Sequence, residues 1–374
     1  MILFLGSGVS FASDLPSALE LKTELLTTDK DSRLRDLFNL LVDMDKDYLI
    51  NSAPFVNSKG TYGFTGQLFR TETTYEDMFY LVDQIVTNGE GRKADITVEA
   101  FTNLVQREGE AFLRGESAVE RTVDLHELAI KARRHIENRV SSLLRASEVK
   151  GLQLVTELAR SPLVPALNIV TLNHDTLVEQ LLTEEGIEFT DGFGRPDGDV
   201  RWFEDAFSND AKVRLIKLHG SVSWWPQSLG SIARPVIVSD DTPTEWKDKN
   251  GEQIENIRPV PSILTGMSKV YSYNRGIFAD QHYRFQQLLR SNTHMLMSGY
   301  GWGDIPLNFQ LQNWFDRDKK NSLILLHKEP VALANSSLEL RHIFSAYTTS
   351  GQIVTFEKWL SETSVSDVIE YLRN

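Results

Sequence analysis

Four short clusters carry the residue types that chemistry requires: Gly6-Ser7-Gly8-Val9-Ser10, Thr171-Leu172-Asn173-His174-Asp175, Leu218-His219-Gly220-Ser221 and Ser298-Gly299-Tyr300-Gly301. Glycines at a strand-to-helix turn let the backbone approach a phosphate, and N–H groups at the helix start meet its charge. The first cluster therefore predicts a cradle for a dinucleotide pyrophosphate. Asn173 offers both donors and an acceptor, which suits a sugar hydroxyl or a water. Asn173 and Asp175 are also good helix caps, and that use stays open. His219 titrates near neutral pH and is suited to taking a proton from a hydroxyl or a water. The glycine after it leaves room for a ligand against the backbone. Tyr300 and Trp302, set among Gly299, Gly301 and Gly303, fit either a phosphate or ribose contact or a plain tight turn.

Each cluster ends an apolar run: Ile2–Leu5, Ala166–Val170, Val213–Leu218 and His294–Met297. Leu323–Leu326 reads as the last such strand. Between them, Thr176–Glu185 (closed by Gly186), Phe285–Arg290 and Pro306–Phe315 read as helical. Short buried strands alternating with helices predict a Rossmann-like doubly wound parallel sheet. Ligands of such sheets lie beyond the carboxyl ends of the strands, where all four clusters fall. Residues 31–150 have a different texture, charged with apolar residues at helical spacing (Leu34, Leu37, Phe38, Leu41; Ile136, Val140, Leu143). They read as a large, mainly helical insertion into one domain spanning 1–374, with 151–374 completing the core. Asn51–Arg70 reads as a loop or hairpin within the insertion. Ser228–Lys269 reads as an irregular excursion with one strand at Val236–Val238, and Trp224 and Trp225 as cover for core beneath it or as one wall of a pocket.

A chain of 374 residues with 41% apolar and 24% charged content can bury a sizeable core. The net charge of −13 argues against direct nucleic-acid binding, and the basic stretches 131–135 and 139–145 read as solvated helix faces. The sequence contains no cysteine, which excludes disulfides, thiolate metal sites and thiol nucleophiles. The absence of a long apolar run or a leader-like start predicts a cytoplasmic location away from membranes.

Taken in order, the four clusters resemble the NAD-binding motifs of the sirtuin family. Gly6-Ser7-Gly8-Val9-Ser10 with Ser13-Asp14-Leu15-Pro16 is similar to that family's first NAD loop, Thr171–Asp175 to its Thr-Gln-Asn-Ile-Asp motif, and His219-Gly220 to its catalytic His-Gly. Ser298-Gly299-Tyr300 resembles its later phosphate contact. Ser17-Ala18-Leu19 replaces the usual Phe-Arg, and no cysteines remain for a zinc ribbon. The wording Asn-His-Asp-Thr-Leu-Val-Glu, Lys217–Trp225 and Ser298–Asp304 is closest to the sirtuin-like NAD hydrolases of bacterial antiphage defence paired with a HerA-type hexameric ATPase. The resemblance implies hydrolysis of NAD+ to ADP-ribose and nicotinamide, with no metal required, and suggests a homo-oligomer. It also implies roles. Gly6, Ser7, Gly8 and Ser10 would hold the phosphates, with Ser298, Gly299 and Tyr300 opposite. Asp175 would take the nicotinamide carboxamide, Asn173 would position water or a ribose hydroxyl, and His219 would be the general base. The alternatives are an NAD-dependent deacylase or ADP-ribosyltransferase, and a non-catalytic NAD-binding scaffold.

Overall fold

The computed structural model describes residues 1–28, 31–51, 72–90, 96–114, 122–145, 148–207, 211–229, 232–238, 246–254, 260–266, 269–336 and 338–373. The expected loop at Asn51–Arg70 lies outside them, apart from Asn51, which ends a helix. The chain divides into two compact units: Met1–Leu15, Leu144–Leu264 and Val270–Asn374 in one, and Pro16–Leu143 with Thr265–Lys269 in the other.

Among its described residues, the first unit holds eleven strands: β1 (Ile2–Leu5), β2 (Leu167–Thr171), β3 (Phe189–Thr190), β4 (Gly192–Asp197), β5 (Val200–Ala206), β6 (Val213–Lys217), β7 (Trp224–Leu229), β8 (Ile232–Val238), β9 (His294–Ser298), β10 (Ser322–Leu326) and β11 (Ile353–Phe356). Seven form one sheet in the order β11-β10-β9-β1-β2-β6-β3, and every pairing in it is parallel. Residues along β1 alternate between two cores. Ile2 and Phe4 join Phe285, Leu311 and Trp314 on one face. Leu3 and Leu5 join Val155, Leu158 and Leu182 on the other. Burial on both faces is why the core strands read as continuous apolar runs. The expected Rossmann-like sheet is present, with β11 as an edge strand beyond the one taken as last.

β1 sits between β2 and β9, so chain order reverses there. A reversal of this kind opens a crevice at the carboxyl ends of the two flanking strands. The remaining strands form an antiparallel sheet, β4-β5-β8-β7. Its first hairpin turns at Gly198-Asp199, with Asp197 opposite Val200 and Gly198 at φ +67°. β7 and β8 fill part of the stretch read as irregular.

The second unit is helical among its described residues, with helices at Ala18–Thr28, Ser32–Asn51, Tyr75–Gly89, Ile96–Glu108, Glu110–Arg114 and Leu125–Leu143. Leu25, Leu37, Phe38, Leu41, Met78, Val82, Val86, Ile136 and Val140 are buried at helical spacing. The basic face of Leu125–Leu143 is paired as well as solvated: Arg133 bonds Asp83 at 3.2 Å and Arg139 bonds Glu24 at 2.8 Å. No helix among the described residues is long and apolar enough to cross a membrane.

Candidate functional site

The glycine turn after β1 and the loop after β9 interlock. Gly6 donates its N–H to the Ser298 carbonyl at 3.0 Å, and Gly8 to that of Gly299 at 2.9 Å. A Cβ on Gly6 would stand 2.5 Å from the Gly299 oxygen. Gly299 has φ +70°, and a Cβ there would meet the Val9 nitrogen at 2.6 Å. These glycines are required by loop-to-loop packing, and the amides of Gly6 and Gly8 are occupied by it. The turn continues as a 3₁₀ helix, Ser7–Ser13. Ser7 is exposed at its first position, and Ser10 is buried.

Beside this turn lies a buried polar chain. Thr171 at the end of β2 donates to the Leu5 carbonyl at 3.0 Å and accepts the Asn173 N–H at 3.0 Å. Held in this way, the Asn173 Nδ2 donates to the Gly6 carbonyl at 3.1 Å and to Ser10 Oγ at 2.9 Å. Ser10 Oγ in turn donates to Asp175 Oδ2 at 2.7 Å. The second carboxylate oxygen of Asp175 accepts the N–H of Leu177, the first residue of helix Leu177–Glu184, at 3.2 Å, from the position before the N-cap Thr176. Asp175 thus ties the network to the helix start. The Asn173 Oδ1, on a residue 8% exposed, has no partner among the described residues. An unsatisfied buried acceptor costs about 1–3 kcal/mol, and a ligand hydroxyl or a water relieves that cost.

The loop after β6 is laced to the same region. Val222 donates its N–H to the His174 carbonyl at 2.8 Å, and the His174 and His219 rings lie 6.3 Å apart. Gly220 has φ +82°, and a Cβ there would overlap the Ser262 carbonyl. The space beside it is filled by the chain's own backbone, and this contact requires the glycine that was read as ligand room. His219 Nε2 lies 3.0 Å from the Tyr273 hydroxyl and 3.1 Å from Asp304 Oδ2. The Tyr273 hydroxyl donates to the same carboxylate oxygen at 2.7 Å.

Residues 167–347 match the family model of the SIR2-like domain. That SIR2-like stretch contains Asn173, Asp175, His219 and Ser298–Tyr300; the glycine turn after β1 lies before it. The sheet with its helical insertion is a sirtuin-like fold. Among solved structures, the chain is similar to a Sir2 homolog–NAD complex at 13% identity, covering 92% of this chain and 89% of that one with a TM-score of 0.38. It is also similar to a mutant Sir2 homologue–ADP ribose complex at 14% identity, covering 93% and 92% with a TM-score of 0.35. No match was found among curated proteins.

The SIR2-like stretch also holds residues to which the sequence analysis gave no role. Lys217, buried at the end of β6, bonds the Asp175 carbonyl and pairs with Glu179 at 2.9 Å. Burial pushes the Glu179 carboxyl above the usual carboxylate range, and the Lys217 ammonium opposes the rise. The pair ties the 173–175 loop to the strand beneath it. Asp304 stood in a quoted motif, where its place before Ile305-Pro306 marks it as a cap. Tyr273 carried no local signal at all.

Tyr300 is buried against Phe4 and Trp302, with its hydroxyl donating to Asn308 Oδ1 at 2.7 Å. In this structure it belongs to the core rather than to a ligand surface. Trp224 and Trp225 are core residues too, one with Phe193 and Ile277, the other with Val200 and Trp246. A separate groove of about 650 Å³, lined by Leu152, Thr156, Arg160, Leu181 and Glu185 among others, lies along helices Gln153–Arg160 and Leu177–Glu184 and contains none of the strand-end residues.

Proposed function

We propose that the chain binds NAD+ over the carboxyl ends of β1, β2, β6 and β9 and hydrolyses its nicotinamide–ribose bond, giving ADP-ribose and nicotinamide. The observation that carries this reading is the Asn173 amide. Its nitrogen is fixed by Gly6 and Ser10, while its buried oxygen faces no partner among the described residues. Such an acceptor suits a ribose hydroxyl or the attacking water. His219, buried at the next strand end, is the base that takes the proton from that oxygen.

Ser7, Ser10 and the turn of Gly6 and Gly8 face the pyrophosphate, with Ser298 and Gly299 on the opposite side. Because two amides of the turn and the Ser10 hydroxyl proton are already bonded, the exposed Ser7 carries more of that contact than the rest of the turn. Asp175 keeps a second lone pair on each oxygen for the carboxamide N–H groups. NAD+ supplies a good leaving group, so the protein's work is to orient the ribose and place the nucleophile. The resemblance of the sequence to antiphage NAD hydrolases extends the proposal to an NAD+-depleting effector that works as an oligomer, with a HerA-type ATPase as partner.

The test is to incubate the purified full chain with NAD+ and follow the products by mass spectrometry. Release of ADP-ribose and nicotinamide without an acyl substrate supports hydrolysis. O-acetyl-ADP-ribose formed only with an acetylated peptide would replace it with a deacylase, and binding without turnover would leave a scaffold.

A further inference from the structure

The loops that carry Asn173 and His219 leave neighbouring strands and then diverge. β2 and β6 run in register as far as Thr171 and Lys217, and the Leu218 N–H still reaches the Thr171 carbonyl at 2.9 Å. Beyond that point the β2 chain turns into helix Leu177–Glu184, while the β6 chain runs on through His219. Ladder pairing ends at this fork, so other contacts set the separation of the Asn173–Asp175 loop from His219. A backbone bond spans the fork, from the Val222 N–H to the His174 carbonyl at 2.8 Å.

The Lys217 side chain spans it as well. Its ammonium donates to the Asp175 carbonyl and, at 2.9 Å, to Glu179 Oε1 in the first turn of the helix. This side chain is only 3% exposed. An ammonium buried there gives up its hydration, which a methionine of similar length would not. Ion pairs buried in this way add little stability, because desolvation offsets the attraction between the charges. What the lysine does supply is direction. The Asp175 carbonyl stands just before the N-cap Thr176, and a donor fixed on β6 holds that peptide at a set distance from the strand. Glu179 neutralises the donor but is less well bonded itself. Its Oε2 is buried with no partner among the described residues, and burial pushes its carboxyl above the usual carboxylate range. The arrangement is built around the lysine–carbonyl contact, with the carboxylate as its counter-ion.

We propose that Lys217 is a positioning residue for NAD+ cleavage: by holding the Asp175 peptide against β6, it sets the distance between the Asn173–Asp175 loop and His219. The effect on turnover rests on the NAD+ reading above; the hold on the loop does not.

The test uses the full chain and three variants. Lys217→Met removes the donor and leaves the Glu179 carboxyl buried alone, so its melting temperature should fall. Lys217→Met combined with Glu179→Met replaces the pair by apolar side chains and should melt at or above the wild-type temperature. The Asp175 carbonyl still lacks its lysine donor in that double variant. Its kcat for NAD+ should therefore stay down by about 10–10²-fold, with KM changed less than about threefold. Amide hydrogen exchange across residues 173–177, read by mass spectrometry, should quicken by about tenfold or more in the double variant and stay unchanged in the core strands. Glu179→Gln keeps an oxygen toward the ammonium and leaves the carbonyl contact in place. It should lose stability, while loop exchange and kcat stay within about threefold of wild type. A double variant with wild-type kcat overturns the proposal, and so does one that fails to fold, since either makes the pair a stabilising feature only. If Lys217→Met alone does not fold, the double variant still decides. A wild-type chain that leaves NAD+ intact, with loop exchange responding as expected, would refute the hydrolase reading and leave the hold on the loop standing.

Discussion

The two sides of the sheet's carboxyl edge are built on opposite principles. On the β1–β2 side, Asn173, Ser10 and Asp175 form a chain of short hydrogen bonds that ends in an amide oxygen with no partner among the described residues. On the β6–β9 side, the Nε2 of His219 lies against a phenol and a carboxylate that also bond each other. A rigid, incomplete network is suited to receiving a ligand, because the ligand completes it. A rigid one whose members bond each other suits a group that must be held in place before the ligand arrives. On the proposed function, the difference gives recognition to the amide side and proton transfer to the imidazole side.

The largest expected effects test that division directly. His219→Ala should lower kcat for NAD+ loss by about 10²–10⁴-fold while ADP-ribose still binds. Asn173→Ala should lower turnover by about 10²–10³-fold and weaken ADP-ribose binding as well, since it removes a contact rather than a base. Calorimetric titration of both variants with ADP-ribose checks this. Equal binding losses in the two would dissolve the distinction.

A second prediction concerns the imidazole side alone. Burial lowers the His282 pKa to about 4, with the neighbouring His219 adding to the drop and Asp304 opposing it. The folded chain keeps this ring neutral, whereas the unfolded chain protonates it near pH 6.5. The unfolded state therefore binds more protons between those values, so stability should fall as pH drops from about 6.5 to about 4, by up to about 3 kcal/mol. Urea unfolding across that window checks it: His282→Phe should flatten this part of the profile. An equal acid-side loss in wild type and variant would remove His282 as its source.

The smallest effect sharpens the amide side. Gly299→Ala, at φ +70° and against the Val9 nitrogen, should cost about 1–3 kcal/mol and disturb the turn that bonds Asn173. Two residues on, a Cβ at Gly301 meets nothing within 4 Å, so Gly301→Ala should stay within about 0.5 kcal/mol. Thermal melts of the pair measure the contrast, and comparable losses would mean that the loop contact carries no special load.

Much of the core could be read from the sequence because burial on both faces writes itself as unbroken apolar runs. Ile2–Leu5 and Leu323–Leu326 are such runs, and each forms a strand of the parallel sheet. The antiparallel sheet was harder. β5 mixes Arg201, Glu204 and Asp205 with aromatics, and only the Gly198-Asp199 turn marked its hairpin. β11, Ile353–Phe356, is an edge strand whose last three residues are only half buried, so its apolar signal is weak. At the site, residues beside a glycine or a strand end stood out, as His219 and Asn173 did. Tyr273 did not, because its importance lies in reaching across to Asp304, 31 positions away. The glycines were recognised by type, but their packing neighbours were not. Gly6 and Gly220 press against Gly299 and Ser262, contacts that local spacing does not encode.

The central claim is that Asn173 and His219 face one NAD+-derived ribose from two sides. A structure of the full chain with ADP-ribose bound tests it most directly. The account predicts a ribose hydroxyl or its bridging water on Asn173 Oδ1 and the His219 imidazole beside the same sugar. ADP-ribose lodged elsewhere, or bound with the Asn173 oxygen still bare, would contradict it.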